Sequence, residues 1–352
     1  STTCTQGQRM NLKFYVLTSE NLEALKRHTS LEYSNIPKEQ VVVVINSLNP
    51  IYVQEAVSHC KHERIEYHIS ESNGTPSKGK NSVFDIFLKS DVEYCVLIDG
   101  DDFLTKHGVW MYQHLASLET PPDAVCLTQQ ASFRNLTDGA FILNPFTVDY
   151  EELFNVDYYK VFRETAKLSH EKATYFESLH TKYYKEQQKY SEGTEVHCRV
   201  TWFSRKAAEF KFDEEIVIGE DTLQMLRLKH EAIEGRLNFY STDERPATYI
   251  YDERTYGIVM RKSKLGNDFN WMDDYLQALE KMKDLGQLHE NMLLPELEVE
   301  YPQDYPYDEI SLETSYVHTL ENEEVLFPKN ASAQSLKNAY KFLKDLSIQQ
   351  AA

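Results

Sequence analysis

The sequence predicts an α/β fold, a mostly parallel β-sheet flanked by helices. Three observations lead there. Short β-branched or aromatic runs alternate with helical patterns through the first hundred residues. One run, Val41–Ile45, is apolar at every position, as strands covered on both faces are. Polar and acidic residues stand where the runs end, at the carboxyl edge where open α/β sheets bind ligands.

The elements follow in order. Lys13–Leu17 reads as a strand, and Asn21–His28 as a helix with Leu22 and Leu25 at helical spacing. Gln40–Ile45 is the buried strand, followed by a helix near Ile51–Cys60 and a strand near Arg64–Ile69. Ser72–Lys80, broken by Gly and Pro, reads as a loop before a helix over Asn81–Lys89, whose Val83, Phe84, Phe87 and Leu88 share a face. Tyr94–Ile98 is the next buried strand and runs into Asp99-Gly100-Asp101-Asp102. Residues 145–192, rich in Tyr and charge, interrupt the rhythm as a helical insertion. Glu195–Phe203 alternates, with Val196, Cys198, Val200 and Trp202 predicted on one face of a half-buried strand. A short helix, a helix opened by Gly219-Glu220-Asp221, and two strands within Arg236–Ile250 complete the body. The expected division is residues 1–265 as the α/β domain and 266–352 as a helical, acidic extension.

Composition narrows the function. The chain has 352 residues, a net charge of −19 and 41% hydrophobic residues, enough for a large core. Such an acidic protein is a poor partner for phosphate backbones, so no nucleic-acid partner is expected. No apolar run nears the roughly 20 residues of a spanning helix, so no transmembrane segment is expected either. Nor does a basic start followed by an apolar stretch announce a secretory signal. Five scattered cysteines without a C-x-x-C pair fit a reducing, cytoplasmic location. Residues 290–328 carry eleven carboxylates and no Lys or Arg, and read as an appended tail.

The chemistry gathers at carboxylates. Three in four residues repel one another unless a cation or solvent compensates. Hard ions such as Mg²⁺ or Mn²⁺ take one or two protein carboxylates plus substrate phosphates. A solvated turn capping the next helix would use the same residues. Glu220-Asp221 is favourable charge at a helix N-terminus, and Asp221 a candidate general base. Gly74–Asn81 nearly spells a phosphate-binding P-loop but has Asn81 where Ser or Thr would be needed. A loop that brings Lys80 to a phosphate fits it better. His59, Cys60 and His62 lack a second ligand pair and read as surface residues.

Taken together, these pieces resemble a nucleotide-sugar-dependent glycosyltransferase of the GT-A (Rossmann-related) fold, in the inverting family-two style. The resemblance runs from about Lys13 to Arg261. It rests on Glu71–Pro76 with Gly79-Lys80-Asn81, on Tyr94–Leu104 with its Asp-x-Asp signature, and on Phe212–Leu223 with Arg227. It implies that Asp99 lies near the ribose and diphosphate, that Asp101 ligates Mn²⁺ or Mg²⁺ with Asp102 in support, and that Lys80 contacts the diphosphate. Asp221, beside Glu220, would deprotonate an acceptor hydroxyl. Thr18, Asn46 and Ser47 fall at the donor edge, with Asn46-Ser47 standing where the family carries a base-reading Asp. Tyr249, Tyr251, Arg254 and Arg261 resemble the segment that closes over the donor. The implied partners are a nucleotide-diphosphate sugar and a glycan or other hydroxyl acceptor. The Tyr-rich insertion packs internally, stacks a sugar or joins copies of the chain, which leaves a homo-oligomer open. A sugar-phosphate nucleotidyltransferase and a non-catalytic binding module are the competing readings.

Overall fold

A computed structural model describes residues 11–29, 36–104, 106–127, 130–135, 141–145, 200–216, 219–242, 249–252, 280–289, 294–303 and 325–326. Residues 146–192 of the insertion, Cys4, Cys198, Arg254, Arg261 and most of the acidic tail lie outside them.

The chain opens with β1 (Leu12–Thr18), α1 (Leu22–His28), a 3-10 turn at Lys38–Gln40, β2 (Val41–Ile45), α2 (Pro50–Glu63) and β3 (Glu66–Ile69). Next come α3 (Pro76–Lys89), β4 (Tyr94–Asp99), β5 (Phe103–Leu104), α4 (Lys106–Ser117), β6 (Ala124–Leu127), β7 (Gln130–Asn135) and β8 (Phe141–Pro145). The later elements are β9 (Val200–Ser204), α5 (Arg205–Ala208), α6 (Glu220–Ile233), β10 (Phe239–Thr242), β11 (Tyr249–Asp252) and β12 (Val325–Leu326).

The main sheet has seven strands in the order β10-β6-β9-β4-β1-β2-β3. Every neighbouring pair is parallel except the two that β9 makes with β4 and β6. This is the mostly parallel, helix-flanked sheet that the sequence predicts. Period-two alternation sorts the side chains of each strand between two cores. Val41, Val43 and Ile45 pack with Phe14, Val16, Val96 and Ile98 under α1, α2 and α4. Val42 and Val44 pack with Tyr15, Cys95 and Leu97 under α3, α5 and α6. A smaller sheet, ordered β12-β8-β7-β11-β5, was not foreseen.

Three local expectations change. Val200 and Trp202 do not share a face: Trp202 enters the first core and Val200 the second. The pairing of β9 with β6 shifts register between Val125 and Cys126, and such a bulge swaps the faces of the residues on either side. Both faces of β9 are covered, one by each core, so all five of its residues are buried. Cys60 is not a surface residue but fully buried against α1 and β2, while His59 accepts or donates a 2.8 Å hydrogen bond with Thr29. Part of the acidic tail also joins the body. Leu297 donates to the Ser241 carbonyl at 2.8 Å, Leu297 and Val299 pack on the first core, and Tyr301 stacks on Trp110.

Candidate active site

Register brings the ends of the central strands level. Thr18 pairs with Ile45 across β1 and β2, and Leu17 with Asp99 across β1 and β4. Thr18, Asn46, Ser47 and the Asp99–Asp102 turn therefore share one carboxyl edge. Gly100 makes that convergence feasible. Its amide donates to the Leu17 carbonyl at 2.6 Å, and a Cβ there would sit 2.5 Å from the same oxygen. Only glycine lets the turn cross β1 so closely.

The polar residues of this edge are held in place. The Thr18 hydroxyl hydrogen-bonds the phenol of Tyr52, whose pKa is pushed up to about 12, mainly by burial. The Asp101 carboxylate lies close enough to raise it further. Asn46 is buried, and its amide donates to Ser70 Oγ at 2.8 Å and to the Glu71 carbonyl at 2.9 Å. It thereby fixes the chain leaving β3. Ser47 Oγ accepts from the Asn49 amide, and Asn49 in turn caps α2.

The segment read as a loop around Lys80 is helical instead. Thr75 caps α3, Pro76 occupies its first turn, and the helix is continuous to Lys89. A Ser/Thr cap followed by Pro is a helix-start signal, which the Gly and Pro content obscured. Gly79 sits within α3 because a Cβ would meet Leu17 and Asn46 at 3.1–3.2 Å. Ser77, Lys80 and Asn81, at i, i+3 and i+4, form a polar stripe on one helix face.

That stripe holds the second carboxylate pair in position. Ser77 Oγ donates to the Ile216 carbonyl at 2.8 Å. Asn81 donates to the Phe212 carbonyl at 3.0 Å and accepts from its amide at 2.8 Å. Between them Lys80 Nζ, only 2% exposed, lies 2.9 Å from Glu220, 2.7 Å from Asp221 and 4.0 Å from Asp99. Lys80 is thus no mobile arm but a buried cation linking two carboxylate groups 121 positions apart. Glu220 and Asp221 open α6 after Gly219, whose φ of 84° favours glycine. Burial pushes Glu220 up to about 7, with Lys80 opposing and Asp221 assisting.

All nine sequence-predicted site residues thus lie on one edge or on the two helix starts facing it. Tyr249 and Tyr251 lie in β11, which pairs with β5 and β7 in the smaller sheet. The sequence reading missed Tyr52, Ser77 and the clamping use of Asn81. Only the 77–80–81 spacing could have marked the last two.

No family model matches the chain, and no curated protein does. Among solved structures, S. aureus TarS overlaps it with a TM-score of 0.39 and 16% identity over 78% of this chain. This chain covers 43% of the length of that one. TarS 1-349 in complex with UDP-GlcNAc gives a TM-score of 0.42 and 14% identity, over 78% and 73% of the two chains. A mannosyltransferase from Pyrobaculum calidifontis, in complex with GDP-Man and Mn²⁺, gives 0.37 and 13%, over 97% and 84%. At these scores the overlap assigns no activity, and the chemistry of the edge rests on its own side chains.

Proposed function

We propose that the protein is a metal-dependent inverting glycosyltransferase, which moves a sugar from a nucleotide-diphosphate sugar to a hydroxyl acceptor. The observation that carries this reading is the cluster in which Lys80 joins Asp99, at the exit of β4, to Glu220 and Asp221 at the start of α6. This juxtaposition supports a reading in which a donor-side acid group and a base serve one bound substrate.

The donor set at the turn suits a hard divalent cation, since Asp101 and Asp102 offer only carboxylate oxygens and Asp102 is 6% exposed. Asp101 and Asp102 would hold the ion, which when bound supplies positive charge against the departing diphosphate. The protein's own groups do the rest. Thr18, Asn46 and Ser47 line the edge on which the nucleoside would lie. Asp221 takes the acceptor hydroxyl proton as that oxygen bonds to the anomeric carbon. The bond from this carbon to the diphosphate oxygen breaks on the opposite face, which inverts the centre. Lys80, 2.7 Å from its Oδ1, holds the Asp221 carboxylate in place.

The test is transfer and donor binding with nucleotide-sugars in the presence of Mn²⁺. Asp221→Asn is expected to lower transfer by about 10²–10⁴-fold while donor binding persists. Asp101→Asn is expected to remove the divalent-dependent part of both. Full transfer by both variants would overturn the assignment. Release of pyrophosphate from a nucleoside triphosphate and a sugar phosphate would favour a nucleotidyltransferase instead.

A further inference from the structure

We propose that His230, Glu234 and His289 form a second metal site, for a divalent transition ion of the Zn²⁺ type. One donor atom from each residue lies within 4.8 Å of the other two. His230 stands in the last turn of α6 and Glu234 directly follows the helix, one turn on along the same face. The site is roughly 15 Å along α6 from the Glu220–Asp221 start, so it is separate from the cluster around Lys80.

Both backbones that carry the ligands are pinned. The Glu234 amide donates to the His230 carbonyl at 3.0 Å. His289 follows a tight turn in which Gly286 adopts φ 63° and the Gln287 amide returns to the Met282 carbonyl at 3.0 Å. Met282 is fully buried and anchors that turn. The imidazoles face each other, with His230 Nδ1 2.8 Å from His289 Nε2 and ring planes 23° apart. Tetrahedral Zn²⁺ with bonds of about 2.0–2.1 Å spaces its donors about 3.3 Å apart. An opening of about half an ångström therefore converts the hydrogen-bonded pair into a ligand pair.

The donors and the surroundings select the ion. Two imidazoles and one carboxylate suit Zn²⁺ better than Mg²⁺ or Mn²⁺. The carboxyl end of a helix carries partial negative charge and attracts cations. Arg236 is the competing cation, with Nη2 3.5 Å from His230 Nε2 and Nη1 3.8 Å from Glu234. Its bonds to Glu231, at 2.5 and 3.1 Å, tie it to a carboxylate outside the ligand set. On metal binding the His230 proton moves from Nδ1 to Nε2, and the weak Arg236 contact is given up while the Glu231 bonds persist. Occupancy would tie the turn before residue 290 to α6.

The experiment is calorimetric titration of the chelator-treated full chain with Zn²⁺, in excess Mg²⁺ so that hard-donor sites are filled. Expected are one Zn²⁺ per chain, a rise in Tm of about 5 °C, and visible bands of tetrahedral symmetry when Co²⁺ replaces Zn²⁺. His289→Gln and His230→Gln should each weaken binding at least about tenfold, whereas Asp101→Asn should leave it unchanged. Melts of the metal-free variants show whether each is folded, and His289, on a turn, serves if His230→Gln is not. Absence of Zn²⁺ binding, or binding indifferent to both histidines, would overturn the site.

Discussion

Glu220 combines two opposed forces at one carboxyl. Burial disfavours its charged form more than Lys80 favours it, so its folded-state pKa stands near 7 against 4.5 when exposed. A raised acid pKa means that the folded state binds the proton more tightly than the unfolded chain. The resulting stability is fully present below about pH 4.5 and lost as pH rises through about 7. Wild type should therefore lose stability relative to Glu220→Gln between about pH 5 and 8, by about 1–3 kcal/mol, and change little beyond. Urea unfolding at several pH values checks this. A gain for wild type over the same range would mean that the pairing with Lys80 outweighs burial. The acid residues themselves were legible, because carboxylates crowded at a strand end or a helix start stand out in any sequence. Lys80 was legible as a cation of interest, but its partners were not. Nothing local announces that position 80 meets positions 220 and 221.

At the scale of elements, α3 does most to assemble the site, and its far end is held by one arginine. Arg205, at the start of α5, donates to the carbonyls of Leu88 at 2.6 Å, Ser90 at 2.8 Å and Val92 at 2.9 Å. These are carbonyls that the end of α3 and the turn after it leave without helical partners. Arg205→Ala should cost about 2–4 kcal/mol, and Arg205→Lys should recover only part, since an ammonium lacks the planar fork. Chemical denaturation of the three proteins measures it. Element existence was largely readable here: β1, β2, β4 and the helices between them follow from periodicity and β-branched runs. Two things were not. The start of α3 was hidden by Gly and Pro, although Thr75 and Pro76 are a cap and a first-turn residue. The faces of β9 were misassigned because a bulge is set by the partner strand, and alternation within one strand carries no trace of it.

For the whole molecule, charge distribution matters more than the total of −19. Residues 290–328 hold −11 of it, yet Leu297, Val299 and Tyr301 return to the core and α4. That segment reads as solvated by its composition but carries apolar residues at intervals that pack. Among the described residues no helix is long and apolar enough to cross a membrane. If the edge binds a nucleoside diphosphate through a cation, ligand and ion should stabilise the protein together. A nucleoside diphosphate at about 100 times its Kd should add about 2.7 kcal/mol, seen as a rise in Tm with Mn²⁺ present and largely absent without it. Equal shifts with and without the ion would remove metal from the reading.

By itself the sequence determined the layered α/β class, the buried strands and the carboxylates available for chemistry, because hydrophobic period and local charge are written residue by residue. Only the tertiary structure decided that Lys80 is a buried link rather than a mobile arm, that Gly100 lets the turn after β4 press against β1, and that His230 meets His289. Each of these is a meeting of distant segments, set by how helices seat on a twisted sheet. No pattern within either segment encodes the distance between them.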